Sequence, residues 1–237
     1  MKKTGFTLAE VLITLGIIGV VAALTTPALV KNTGSAKVGP TLAKFVNSVE
    51  TAAEQLMHDE NIGKLSDAFY ESANGANYTL FGDHLSRHMI MTPLTDKNYV
   101  AYAPDGTTEY NTYPGENAKL WQLKDGSVLV LTKADDFASL KNNPQILSLK
   151  GPMFALLYDI DGMQGKNSAG RDLYFFILDD TGTMVAAGSK AFKAIYDTAD
   201  KSGNFNSVTS CSTIGSSAAA GLICTGEIAD NGWKTKK

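Results

Sequence analysis

The stretch MKKTGFTLAEVLITLGIIGVVAALTTPALV, Met1 to Val30, decides how the rest of the chain is read. Lys2 and Lys3 precede Thr4 and Gly5, and from Phe6 to Val30 the only charge is Glu10. Val11 to Val30 is a run of 20 uncharged residues, about the length that crosses a bilayer core as a helix. Lysines ahead of such a run hold the N-terminus in the cytoplasm and send the remainder outward. A cleavable secretory signal would account for the lysines and for an apolar stretch from Val11 to Leu24. It does not account for Glu10, and no A-x-A site precedes Pro27. A plain anchor explains the length but gains nothing from a lone glutamate, because an ionisable group at membrane depth is costly and is kept where it has a partner.

The run Lys3-Thr4-Gly5-Phe6-Thr7-Leu8-Ala9-Glu10 resembles the N-terminal signal of type IV pilins and of the pseudopilins of type II secretion. In that family a membrane peptidase cuts after the glycine and methylates the new N-terminal phenylalanine. The resemblance implies cleavage between Gly5 and Phe6, N-methylation of Phe6, and an assembly role for Glu10, fifth in the processed chain. The physics runs in parallel. Cleavage creates an ammonium at Phe6, and a buried cation and a buried carboxylate are each costly alone but offset one another when paired. Glu10 of one subunit meeting the Phe6 amine of the next would favour assembly in one axial register.

The resemblance further implies an α+β fold: a long N-terminal helix, membrane-spanning in its first half and amphipathic in its second, packed on an antiparallel sheet as a pilin-like roll. The expected divisions are a leader peptide at 1–5, a transmembrane and assembly helix at 6–30, a kinked continuation at 31–59 and an extracytoplasmic globular domain at 60–237. The implied function is a prepilin-like structural subunit of a type IV pilus or secretion pseudopilus. Its implied partners are the prepilin peptidase, other pilin or pseudopilin subunits and the bacterial inner membrane. The N-terminus would face the cytoplasm, and the globular domain the periplasm or the exterior. With 237 residues, 232 after the cut, the chain is longer than typical major subunits, which points to a minor component. The alternative is a membrane-anchored extracytoplasmic binding domain that never polymerises.

Composition narrows the partners. The net charge of −3 becomes −5 once Lys2 and Lys3 are removed. Apart from the Lys234-Thr235-Lys236-Lys237 run, which reads as a solvated end, no basic patch speaks for nucleic acid.

Beyond the apolar run, Pro27 predicts a kink, and Gly34, Gly39 and Pro40 predict a melted segment from Asn32 to Pro40. Helical periodicity resumes at Thr41, with Leu42, Phe45, Val46, Val49, Ala53 and Leu56 on one face. From Glu60 to Tyr113 scattered Asn, Gly and Ser predict loops with one or two short helices. Strands are expected at Leu120–Leu123, Val128–Thr132, Phe154–Tyr158, Leu173–Leu178 and Thr183–Ala187, with turns at Asp125-Gly126 and Asp180-Thr181-Gly182.

Three further constellations carry chemistry. Asp159, Asp161 and Asp172 flank a loop containing Gly162, Gly165, Asn167 and Gly170. Oxygen ligands at that spacing suit calcium, although the loop lacks the closing glutamate of an EF-hand. The other reading is a polar turn shaped by Asx and Gly residues. His84 and His88 lie four apart, a helical metal-binding spacing that more often marks an ordinary helix surface. Cys211 and Cys224 both fall outside the membrane in this topology, where two cysteines make one bridge. A C-terminal disulfide loop is also what the family resemblance implies, and it encloses Ser216 to Gly221, which reads as flexible. No G-x-S-x-G, P-loop or G-x-G-x-x-G is present, so a structural role ranks above an enzymatic one.

Overall fold

The computed structural model of the chain describes residues 7–71, 75–95, 99–107, 109, 118–133, 154–195 and 218–234. Of these, the side chains of 25–36, 71, 75, 76, 133, 193–195 and 218–223 stand outside the description. The first element is α1, Leu8–Asp59, a helix of 52 residues and about 78 Å in length at ~1.5 Å per residue. Thr7 starts it with a capping box: Glu10 N–H donates to Thr7 Oγ1, and Thr7 N–H donates to Glu10 Oε2. Its other end is closed by Asn61 in the left-handed region (φ 53). Asn61 N–H donates to the His58 carbonyl and Ile62 N–H to that of Met57. This is the Schellman pattern, in which asparagine takes the place usually given to glycine.

The melted segment expected from Asn32 to Pro40 is corrected here: α1 runs through Pro27, Gly34, Gly39 and Pro40 without a break. Each proline removes one backbone hydrogen bond and crowds the preceding turn, a local cost that the continuing helix on both sides absorbs. Gly39 answers a packing need. A Cβ at this position would lie 1.8 Å from the carbonyl oxygen of Trp233, so only glycine lets the far end of the chain sit on the helix.

After α1 come α2 (Ser66–Phe69), β1 (Tyr70–Glu71), β2 (Gly75–Ala76), α3 (Tyr78–Leu85), β3 (Met91–Leu94), β4 (Ala101–Tyr102), β5 (Lys119–Leu123) and β6 (Val128–Lys133). Then follow β7 (Phe154–Asp159), β8 (Asn167–Ser168), β9 (Leu173–Leu178), β10 (Met184–Ala186), α4 (Lys190–Ile195) and α5 (Ala218–Asp230). The main sheet has six strands in the order β10-β9-β7-β6-β5-β3, every neighbouring pair antiparallel. The fold is α+β. The five expected strands are all present within a residue of their expected ends. The short helices after Glu60 are α2 and α3.

Strands β7 and β9 are uninterrupted apolar runs because both faces of the sheet are covered. On one face Leu129, Leu131, Leu156, Phe176 and Leu178 meet Leu42, Phe45, Val46, Val49, Ala53 and Leu56 of α1. Phe45 stacks on Tyr158 with centroids 4.0 Å apart. On the other face Val130, Leu157, Phe175 and Ile177 are covered by Tyr99, Ala101, Ala103 and Phe192. Glu50 of α1 accepts the N–H of Met184 at the sheet edge. The turn before β10 presses on the same helix, with Gly182 (φ +82) placed where a Cβ would lie 3.0 Å from Met57 Cε.

Residues Ala218 to Gly221, expected to be flexible, belong to α5. That helix reaches the sheet because Gly226 lies against Gly188 and Ser189, where a Cβ would come within 2.1 Å of the Ser189 nitrogen. Thr225 Oγ1 accepts the Phe175 N–H, and the Asp230 carboxylate accepts the N–H of Lys190 at the start of α4.

Candidate functional site

Two regions hold the residues that the sequence singles out. The first is the start of α1. Leu8, Val11, Leu12, Ile13, Leu15, Ile17, Ile18, Val20, Val21 and Leu24 are all exposed, from 44 % at Val11 to 78 % at Leu8. At 100° per residue these positions cover the whole circumference, and a helix apolar all round is built for an apolar environment or for burial among other helices. Thr14 keeps its hydroxyl satisfied inside this surface by donating to the carbonyls of Glu10 and Val11. Among the described residues no helix is long and apolar enough to cross a membrane. The uncharged run itself continues to Val30, past the last described side chain of this segment, Leu24.

Glu10 heads the apolar surface. Its Oε2 accepts both the N–H of Thr7 at 2.8 Å and the Thr7 hydroxyl at 2.7 Å. Thr7 is therefore the residue that positions the Glu10 carboxylate, a role the sequence reading missed. The signal was available, since Thr-x-x-Glu before an apolar run is a capping-box pattern. Gly5 and Phe6 lie outside the described residues.

The second region is the corner where β7 ends. Asp159 is fully buried. Its Oδ2 accepts the Tyr99 hydroxyl at 2.7 Å, and its Oδ1 accepts the N–H of Gly162 at 3.0 Å. Gly162 bends the chain there with φ +70, and a Cβ on it would lie 2.2 Å from the Gly126 carbonyl. Burial pushes the Asp159 carboxyl up to about 8, with Asp161 and Asp172 adding to the rise and the Tyr99 bond opposing it. Asp172 is raised to about 6, chiefly by burial and then by the charge of Asp161, against the stabilising N–H of Ser168. Burial also pushes the Tyr158 and Tyr174 hydroxyls up.

The structure thus brings Asp159, Asp161 and Asp172 into one electrostatic neighbourhood. Among the described residues no group of three or more His, Cys, Asp or Glu is arranged to hold a metal ion. In this corner both oxygens of Asp159 accept bonds from protein donors, the Tyr99 hydroxyl and the Gly162 N–H.

The histidine pair serves α1. His84 Nδ1 lies 2.6 Å from Glu60 Oε1, and His88 Nε2 lies 3.7 Å from Asp59 Oδ2, which ties α3 to the end of the long helix. Cys224 is buried on α5 at 2 % exposure, while Cys211 lies outside the described residues.

Residues 1–26 match the prokaryotic N-terminal methylation motif. This is the prepilin-type signal of type IV pilins and pseudopilins. The motif spans the Gly5-Phe6 junction, Thr7, Glu10 and most of the exposed apolar surface. No curated protein and no solved structure matches the chain.

Proposed function

We propose that this chain is a prepilin-like structural subunit, cut between Gly5 and Phe6, methylated on Phe6 and packed through residues 6–30 into a type IV pilus or type II secretion pseudopilus as a minor component. One observation carries the reading. The methylation motif heads a single unbroken helix whose last third packs one face on the α+β body and whose described start is apolar on every side. Such a helix needs a bilayer before assembly and neighbouring helices after it. The body would lie in the periplasm or outside, in a pilin-like arrangement, with the N-terminus cytoplasmic. In that compartment Cys211 and Cys224 would form one bridge, found by non-reducing mass mapping. Intact mass and N-terminal sequencing of protein from its native envelope test the processing step. The expected result is methylated Phe6, and an intact Met1 or a start near Thr26 to Ala28 overturns the reading.

A second reading has its own observation. Glu10 is already satisfied by Thr7 within the same chain, as in an anchored domain that has no neighbour to pair with. Incorporation into filaments separates the two. Glu10→Ala should lower incorporation while membrane insertion persists. Unchanged incorporation removes the role of Glu10 in assembly, and absence of the wild-type chain from sheared filaments supports the anchored domain.

A further inference from the structure

A groove of about 1240 Å³ runs beside α1 from Pro40 to Gln55. On the helix it is walled by Lys44, Ser48, Thr51 and Gln55, which share one face at ~100° per residue. Phe45, stacked on Tyr158, closes its inner side. The far wall comes from two other elements. His84 and His88 tie α3 to Glu60 and Asp59 at the end of α1, and the chain then leaves for β3 through Met89 and Ile90. Beside them stand Leu123 and Lys124 at the β5–β6 turn. Met89 and Leu123 are partly buried, whereas Ile90 is 73 % exposed.

The charge of this groove is positive. Lys44 and Lys124 line it from two elements, and its one acid, Asp125, is taken up by the N–H and hydroxyl of Ser127. Among the described residues the ion pairs join His58, His84, Arg87 and His88 to Asp59 and Glu60, so neither lysine is neutralised there. The other flank of α1 is acidic. Glu50 and Glu54 are one turn apart and about 110° round the helix from the groove face. Glu50 marks their direction by accepting the Met184 N–H at β10, and Ala53 and Met57 on the same flank meet Gly182. Glu54 is exposed and belongs to none of those ion pairs. A basic groove on one flank and an acidic ridge on the other complement each other between copies, in one sense only. Such a contact is heterologous: it builds rings or open filaments, never an isologous pair.

We propose that this groove receives a second copy of this chain, with the Glu50–Glu54 flank of its α1 set beside Lys44 and Lys124 and against Ile90. This rests on the subunit reading above and names the neighbour: even a minor component would enter a filament as adjacent copies. Ile90, with Met89 and Leu123 behind it, supplies the apolar surface to be buried. The charges fix which flank meets which, and hence the direction in which copies add.

The test is photo-crosslinking of the full chain in its native envelope, with Ile90→p-benzoylphenylalanine as the probe. The expected product has twice the subunit mass and joins position 90 to residues 45–64 of the other copy, the tryptic segment that holds Glu50 and Glu54. Lys44→Glu and Lys124→Glu together should lower its yield at least about tenfold, since attraction becomes repulsion. Adding Glu54→Lys to that variant should restore most of the yield, which a general loss of folding or insertion would not allow. A probe that reaches only lipid, another protein or a different part of the second copy overturns the proposal, as does a yield indifferent to these charge changes. A chain present in sheared filaments without the product overturns the groove and leaves the subunit reading standing. The product formed by a chain absent from sheared filaments supports the pairing of copies and overturns the subunit reading.

Discussion

The two ends of α1 have the same backbone and opposite surroundings. From Leu8 to Leu24 the large apolar side chains point in every direction and are exposed. From Leu42 to Leu56 they form one stripe, fully or almost fully buried against the sheet. The first pattern has no polar face to give to water, whereas the second has one in Lys44, Glu54 and the other residues between the stripe positions. The difference teaches that one helix presents two kinds of surface. One face of its C-terminal part belongs to the core, and its N-terminal part is apolar on every side and exposed.

The largest effect should come from exchanging the same kind of change between the two ends. Phe45→Ala removes the ring stacked on Tyr158 and should destabilise the body by about 3–5 kcal/mol, as expected for a large-to-small change in a packed core. Ile17→Ala should leave denaturation of the body within about 0.5 kcal/mol and show itself only in assembly or insertion. Chemical denaturation in detergent measures both, and equal losses would break the contrast.

A smaller, pH-dependent effect should be confined to the body. Asp159, near 8, and Asp172, near 6, are both raised above the ordinary carboxylate value of 3.8. The folded state therefore holds protons that the unfolded chain has lost. The stability these two groups contribute should be fully present below about pH 4 and be lost as pH rises, through about 6 for Asp172 and about 8 for Asp159, by at most about 1.4 kcal/mol per pH unit for each group. Asp159→Asn should flatten the upper part of this slope. Melting curves followed by near-ultraviolet circular dichroism record it, and a slope of the opposite sign would contradict the buried geometry.

The smallest effect expected is that of chelation. Calcium or chelator should leave the melting curve of wild-type protein unchanged, because Asp159 is already satisfied by Tyr99 and Gly162. A calcium-dependent rise in melting temperature would restore the ion. Asn167 Oδ1, a buried acceptor in the same loop with no hydrogen-bond partner among the described residues, would then be the further ligand to remove.

Much of the architecture was legible from local pattern. The stripe on α1 and the five strands were marked by periodicity, by apolar runs and by Asp-Gly and Thr-Gly turns. The edge strand β3 was not, since its four residues Met91 to Leu94 include Pro93 and are called into the sheet only by pairing with β5. Nor was α5, whose Ala- and Gly-rich start looks flexible until Gly226 is seen to fit against Gly188. At the site, the order Gly5-Phe6-Thr7-Leu8-Ala9-Glu10 was enough to mark the processing motif. The partnership of Thr7 with Glu10 was written in the same residues and went unread.

By itself, then, the sequence determined what depends on neighbours along the chain: the methylation motif, the uncharged run, the helical stripe and most strands of the sheet. The tertiary structure alone decided what depends on residues far apart. It kept α1 whole across Gly39 and Pro40, because the glycine is a seat for Trp233 rather than a break. It gave the buried Asp159 its hydroxyl donor, because Tyr99 arrives from sixty residues earlier. Periodicity reports which face of an element is apolar; what covers that face, and which donor reaches a buried acid, is fixed by contacts that no local pattern encodes.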